Sequence, residues 1–188
     1  MNAHSFAHIG FAGGIATRHH DRIANAPENA VVENLPQLNE IVPEFSAPMT
    51  SGKTFELSDF KGKKLVLYFY PKDNTPGCTT EGIRFRELYP QFQQANTEII
   101  GVSRDSLRSH ESFKAKLDMP FELISDPEEQ VCLMFDVMKM KTMYGRQSRG
   151  IERSTFVIDG SGRLVKEWRG VRVPGHVDEV LEYVKAIA

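Results

Sequence analysis

Cysteine is scarce in this chain: 188 residues hold only Cys78 and Cys132. Two thiols make no disulfide scaffold. No Cys-x-x-Cys occurs, which removes the usual dithiol redox pair and the common zinc pairs. No apolar run approaches the roughly 20 residues that a membrane-spanning helix needs. Neither sign of charge dominates: the net charge of −2 gives no global field toward nucleic acid or an anionic membrane. Internal repeats, low-complexity tracts and a phosphate-cradling glycine loop are also lacking. Gly160-Ser161-Gly162 has neither the spacing nor the setting of a serine-hydrolase elbow and reads as a turn. Residues 1–30 carry no Lys or Arg before Arg18 and only a short Gly/Ala-rich patch from Ile9 to Ala16, which is not a signal-peptide pattern. A reducing, cytoplasmic location is the expectation.

What is present is ordinary for one globular domain: 40% apolar and 26% charged residues. The composition changes near Leu38 to Val42, so residues 1–37 are expected to be a disordered tail and 38–188 a single domain. The tail holds His4, His8, His19 and His20. His19-His20-Asp21 has metal-binding residue types, but no further ligand stands at a recognisable spacing, and a solvated segment is the simpler reading. No metal or cofactor is expected.

Residues 45–49 and 54–57 flank a Ser-Gly turn and read as an edge hairpin, with Pro48 suited to an edge strand. Leu65 to Tyr70 is continuously apolar, as in a strand covered on both faces. Residues 76–95 read as a helix with Phe85, Leu88 and Phe92 on one stripe, and Cys78 two turns back on the same stripe. Strands are expected at 98–103 and 121–125, and helices at 106–117, from Asp126-Pro127 onward, and at 176–187. Lys139 to Gly150 reads as a loop, and residues 154–159 and 163–168 as a hairpin. This order predicts an α/β, thioredoxin-like fold: a mixed central sheet flanked by helices, with an N-terminal hairpin extension.

The chemistry centres on Cys78. Thr75 is placed as N-cap, Pro76 as N1, Gly77 as N2 and Cys78 as N3 of the helix that follows the apolar strand. Helix N-termini carry unpaired N–H groups and partial positive charge, so a thiol there is expected to ionise near neutral pH. A buried structural cysteine is the bland alternative. Gly77 lets another atom approach the backbone, and the Thr75 hydroxyl could cap the helix or bind a ligand at the sulfur. Ionisation alone is not enough. A free thiol is roughly 3% thiolate at pH 7, so full ionisation gains only about thirtyfold. The rest must come from orientation and charge stabilisation, which calls for a fixed cation. Arg146, Arg149 and Arg153 are the candidates. Spacing reads the first two as solvated loop charges and leaves Arg153 open.

Pro71-x-x-x-Thr75-x-x-Cys78, within Tyr68-Phe-Tyr-Pro-Lys-Asp-Asn-Thr-Pro-Gly-Cys-Thr79, resembles the active-site motif of the peroxiredoxins. The branch it looks like is that of bacterioferritin comigratory protein, or peroxiredoxin Q. The likeness continues through Ile100-Gly-Val-Ser103, Ser125-Asp126 and Gly150 to Asp159. The resemblance implies a thiol peroxidase whose peroxidatic cysteine is Cys78. It implies that Pro71 shields the sulfur, that Thr75 hydrogen-bonds the peroxide, and that Arg153 helps ionise the thiol and polarise the O–O bond. It also implies a peroxide substrate and an external thiol reductant (thioredoxin, glutaredoxin or glutathione).

The chain departs from that branch at one point. The position five residues after Cys78, where many members carry a resolving cysteine, is Ile83, and residues 107–117 hold no cysteine either. Cys132 lies among apolar neighbours at helical spacing and reads as core. A one-cysteine cycle in a monomer or weak dimer is therefore expected. A non-catalytic binding or holdase module and a redox sensor are the rival functions. The bland role for Glu81 is complementing the helix dipole, with a contact to the substrate pocket open but unassigned. The five basic residues between Lys139 and Arg153 read as a rim of the site, with no nucleic-acid or membrane partner.

Overall fold

The computed structural model describes residues 35–188. The expected N-terminal tail and its four histidines lie outside the described residues, apart from positions 35–37.

A seven-stranded mixed sheet has the spatial order β2-β1-β5-β4-β3-β8-β9. These strands are β1 (Ser46–Met49), β2 (Lys53–Glu56), β3 (Lys64–Phe69), β4 (Thr97–Ser103), β5 (Glu122–Ser125), β8 (Ser154–Ile158) and β9 (Leu164–Trp168). The central strand β3 is buried throughout, as its apolar run predicts. Its side chains alternate between two cores. Leu65, Leu67 and Phe69 enter one, with Val131, Cys132 and Phe135 of the segment around α3 (Gln130–Met134). Val66, Tyr68 and Tyr70 enter the other. That second core is built by α1 (Pro76–Gln94), α2 (Leu107–Lys116) and α4 (His176–Ala186). The period-2 geometry of a strand thus puts the two cysteines on opposite faces of the sheet.

Strand β3 runs parallel to β4 and antiparallel to β8, with Phe69 opposite Ser154. The N-terminal end of β8 therefore lies at the C-terminal end of β3, beside the start of α1. A parallel β8 would have put its first residues at the far end. In the hairpin, β2 is the edge and β1 lies inside it, pairing with β5 through Met49 and Ile124. Pro48 faces Thr54 of β2 and has no β5 partner, so its missing N–H breaks no ladder there.

Two expectations are corrected. The helix expected from Asp126 starts only at Gln130. Residues 126–129 close a turn through Glu129 N–H to Asp126 O (3.0 Å), and Glu129 sits at φ 59°, which no helix continues through. Asp126 instead accepts the Cys132 N–H (2.8 Å). The expected loop at 139–150 is an antiparallel hairpin, β6 (Met138–Met143) and β7 (Arg146–Ile151). Its two turn residues, Tyr144 (φ 51°) and Gly145 (φ 74°), are both left-handed, as a tight hairpin turn with the strand twist requires.

Candidate active site

Thr75 occupies the N-cap position of α1, with Pro76 at the first helical residue. The Thr75 hydroxyl does not cap the helix; it donates to Lys72 O (2.8 Å). Its lone pairs remain available as acceptors. The first-turn amides of Gly77 and Cys78 receive no capping side chain. Cys78 itself is only 2% exposed and packs in the α1 core with Phe85 on the same stripe. Pro71 is half-buried two residues past the end of β3.

Of the three candidate arginines, Arg153 reaches the sulfur. Its Nη2 donates to Cys78 Sγ at 3.4 Å, and its Nη1 donates to Glu81 Oε2. The antiparallel β8 aims it there, and Val171 N–H anchors the Arg153 carbonyl (2.9 Å). Gly77 makes the approach possible: a Cβ at that position would stand 3.2 Å from Arg153 Nη2. Arg149 pairs instead with Glu129, and Arg146 is exposed.

Glu81 is fully buried and accepts from Arg153, a contact at the sulfur site that the sequence left unassigned. Burial pushes its carboxyl up to about 7, against the opposing pull of Arg153. Burial also works against the Arg153 charge, but Glu81 and the Cys78 sulfur outweigh it and raise the Arg153 pKa. Glu81 Oε1 and the Tyr68 hydroxyl have no hydrogen-bond partner among the described residues. Sequence spacing hid this role because an acid in the first helical turns is common, and only the position of Arg153 distinguishes it.

The β6–β7 hairpin rims the site. Lys141 donates to Ile151 O, and its pKa is lowered by burial and by the neighbouring Arg153. On the other side, Pro76, Gly77, Val173 and Pro174 line a largely apolar groove, with the Arg84–Asp178 ion pair at its edge.

Cys132 is set apart from all of this. It is fully buried on the opposite face of the sheet, and burial together with Asp126 pushes its thiol far up. Chemically, the site offers one sulfur, a guanidinium touching it, free helix amides and a hydroxyl acceptor.

Residues 38–167 match the model of the AhpC/TSA family. A curated protein from Xanthomonas campestris, Peroxiredoxin Bcp, is 51% identical over 74% of this chain and 88% of its own length. The protein of the same name from Bacillus subtilis is 48% identical over 79% of this chain and 95% of its own. A solved structure of the Xanthomonas campestris bacterioferritin comigratory protein superposes with a TM-score of 0.72. It is 49% identical and covers 76% of this chain and 90% of its own. That work concerned the alkyl peroxide reduction activity of the Xanthomonas protein.

Proposed function

The chain belongs to the AhpC/TSA family, as a peroxiredoxin of the bacterioferritin comigratory branch and hence a thiol peroxidase; on that premise we propose a one-cysteine cycle run by Cys78. The observation that carries the assignment is the Arg153 guanidinium against the Cys78 sulfur at the open N-terminus of α1.

The Cys78 thiolate attacks one oxygen of the hydroperoxide. The S–O bond forms and the O–O bond breaks. The departing oxygen takes a proton and leaves as water or an alcohol, and Cys78 becomes a sulfenic acid. Arg153 and the amides of Gly77 and Cys78 stabilise the negative charge shared between the oxygens. The Thr75 hydroxyl, its own hydrogen given to Lys72, accepts the peroxide O–H and orients it. Pro71 keeps water off the sulfur. The apolar groove at Pro76, Gly77, Val173 and Pro174 suits the carbon tail of an organic hydroperoxide as well as admitting hydrogen peroxide.

An external thiol then attacks the sulfenic sulfur and releases water, leaving a mixed disulfide. A second thiol breaks it, restoring Cys78. Ile83 stands where a resolving cysteine would, and Cys132 lies across the sheet, so neither serves in this step. Thioredoxin, glutaredoxin and glutathione all have the required chemistry. A reducing, cytoplasmic compartment supplies such thiols, and a monomer or weak dimer suffices because one chain holds every residue invoked. Among the described residues no helix is long and apolar enough to cross a membrane.

Peroxide consumption measured with each of the three donors tests the cycle. Cys78→Ser should abolish turnover and Cys132→Ser should leave it nearly unchanged. Near-complete loss in a well-folded Cys132→Ser protein would overturn the one-cysteine reading.

A further inference from the structure

The loop at 70–75 joins β3 to α1 and carries Pro71 and Thr75. Its fixed point is Asp73. The Asp73 side chain is 1% exposed, and His110 of α2, against which it lies, is 0% exposed. Asp73 Oδ1 accepts the Tyr70 hydroxyl (2.7 Å), and Oδ2 accepts both the Ser109 hydroxyl (2.8 Å) and His110 Nδ1 (2.8 Å). The Asp73 N–H donates to Asp105 Oδ2 (3.1 Å), which also takes the Ser103 hydroxyl.

The far side of the ring is tied down as well. His110 Nε2 lies 3.0 Å from Ile124 O, and a carbonyl can only accept, so Nε2 donates there. The ring thus bridges the Asp73 carboxyl and the Ile124 carbonyl, both partners buried. Asp73, Asp105 and His110 have the donor types of a cation site within 4.8 Å, but both ring nitrogens are already engaged by these contacts.

Burying such a hydrogen-bonded Asp–His pair is a poor way to gain stability, since apolar residues of similar volume commonly do as well. Such a pair is better explained by the conformation it specifies. Here it ties the reactive loop to three other pieces of the fold: Ser103 at the end of β4 with Asp105 beyond it, Ser109 and His110 on α2, and Ile124 on β5. The loop needs holding. Asn74, the next residue, sits at φ 60°, in the left-handed region.

The cycle also makes two opposite demands on this loop. Attack on peroxide needs Thr75, the helix amides and Arg153 fixed around the sulfur. Reduction needs a bulkier thiol to meet a sulfur that is 2% exposed while the loop is closed.

We propose that the buried Asp73–His110 pair is a latch that positions the active-site loop for attack on peroxide, holding Pro71, Thr75 and the first turn of α1 around the sulfur. The latch rests on the reading of Cys78 as the peroxidatic cysteine. Asp73 and His110 are positioning residues, acting through Pro71, Thr75 and the first turn of α1.

Asp73→Asn, His110→Gln and the double variant test it, with the two half-reactions timed separately in single-turnover mixing. Hydrogen peroxide is the oxidant and glutathione the reductant. The expected result is a peroxide step slowed about tenfold or more in each single variant, in line with the sensitivity of catalysis to misplacement. The thiol step should be unchanged or faster, and the double variant no worse than the singles. Equal slowing of both steps, or an unchanged peroxide step with only a lower melting temperature, would overturn the latch. If either variant fails to fold, Ser109→Ala removes one of the three bonds to Asp73 and should give the same split at roughly threefold. A wild-type chain that does not consume peroxide would refute the underlying reading, whereas an active wild type with parallel losses in the variants refutes the latch alone.

Discussion

Replacing Arg153 by Met removes the donor at the Cys78 sulfur and strips Glu81 of its counter-charge in one change. The expected result is a fall of about 10²-fold or more in kcat/KM for peroxide, the usual effect of deleting one preorganised donor. Initial rates at limiting peroxide measure it; a loss below threefold would remove Arg153 from the mechanism. Much of this site was readable at residue level because Pro71, Thr75, Gly77 and Cys78 lie in one short stretch whose helix-start chemistry is local. Arg153 lies 75 residues from Cys78 in sequence, and spacing alone left it open. Glu81, Asp73 and His110 were less legible still. An acid near a helix start, an acid in a turn and a histidine in a helix carry no mark of burial until the tertiary partners are known.

Elements read well from sequence wherever a buried stripe or a buried run imposed a period. Strand β3 and helices α1 and α4 are such cases, and each stands where its pattern predicts. Two elements failed for the same physical reason, the absence of a one-sided apolar period. The β6–β7 hairpin is mostly exposed, so its Met and Lys residues alternate without a burial signal, and its one strong mark was the Tyr144-Gly145 turn. The start of α3 was overridden by Glu129, whose carboxylate is taken by Arg104 and Arg149. The hairpin gives a clean test. Gly145→Val puts a β-branched side chain at φ 74° and should cost the arm about 1–2 kcal/mol. Amide exchange across residues 138–151 should speed up while the melting temperature of the whole protein barely moves. Unchanged protection there would mean that the turn does not hold the arm.

For the molecule as a whole, two buried groups set opposing responses to pH. Burial holds the Glu81 carboxyl at about 7, so the folded chain keeps this proton more tightly than the unfolded chain. Its contribution to stability is complete at low pH and is lost as pH rises toward and through 7. Burial pushes His176, bonded to Thr155 (2.8 Å), down to about 4, so the folded chain resists this proton. Its contribution is present above the ordinary histidine range and is lost as pH falls toward 4. Between about pH 5 and 6.5 the two slopes oppose each other, each at most about 1.4 kcal/mol per pH unit. Urea unfolding across that window should show Glu81→Gln gaining stability as pH rises and His176→Gln losing it. Identical slopes in the two variants would contradict these assignments.

The two cysteines occupy opposite faces of the sheet, one touching a guanidinium and the other sealed in apolar core. The account therefore turns on where oxygen is first transferred. The most direct measurement exposes the wild-type protein to one equivalent of hydrogen peroxide, traps sulfenic acid with a dimedone-type reagent, and maps the peptides by mass spectrometry. The predicted result is a trapped sulfenic acid on Cys78, with Cys132 unmodified. An unoxidised Cys78, or a disulfide joining Cys78 to Cys132, would contradict it.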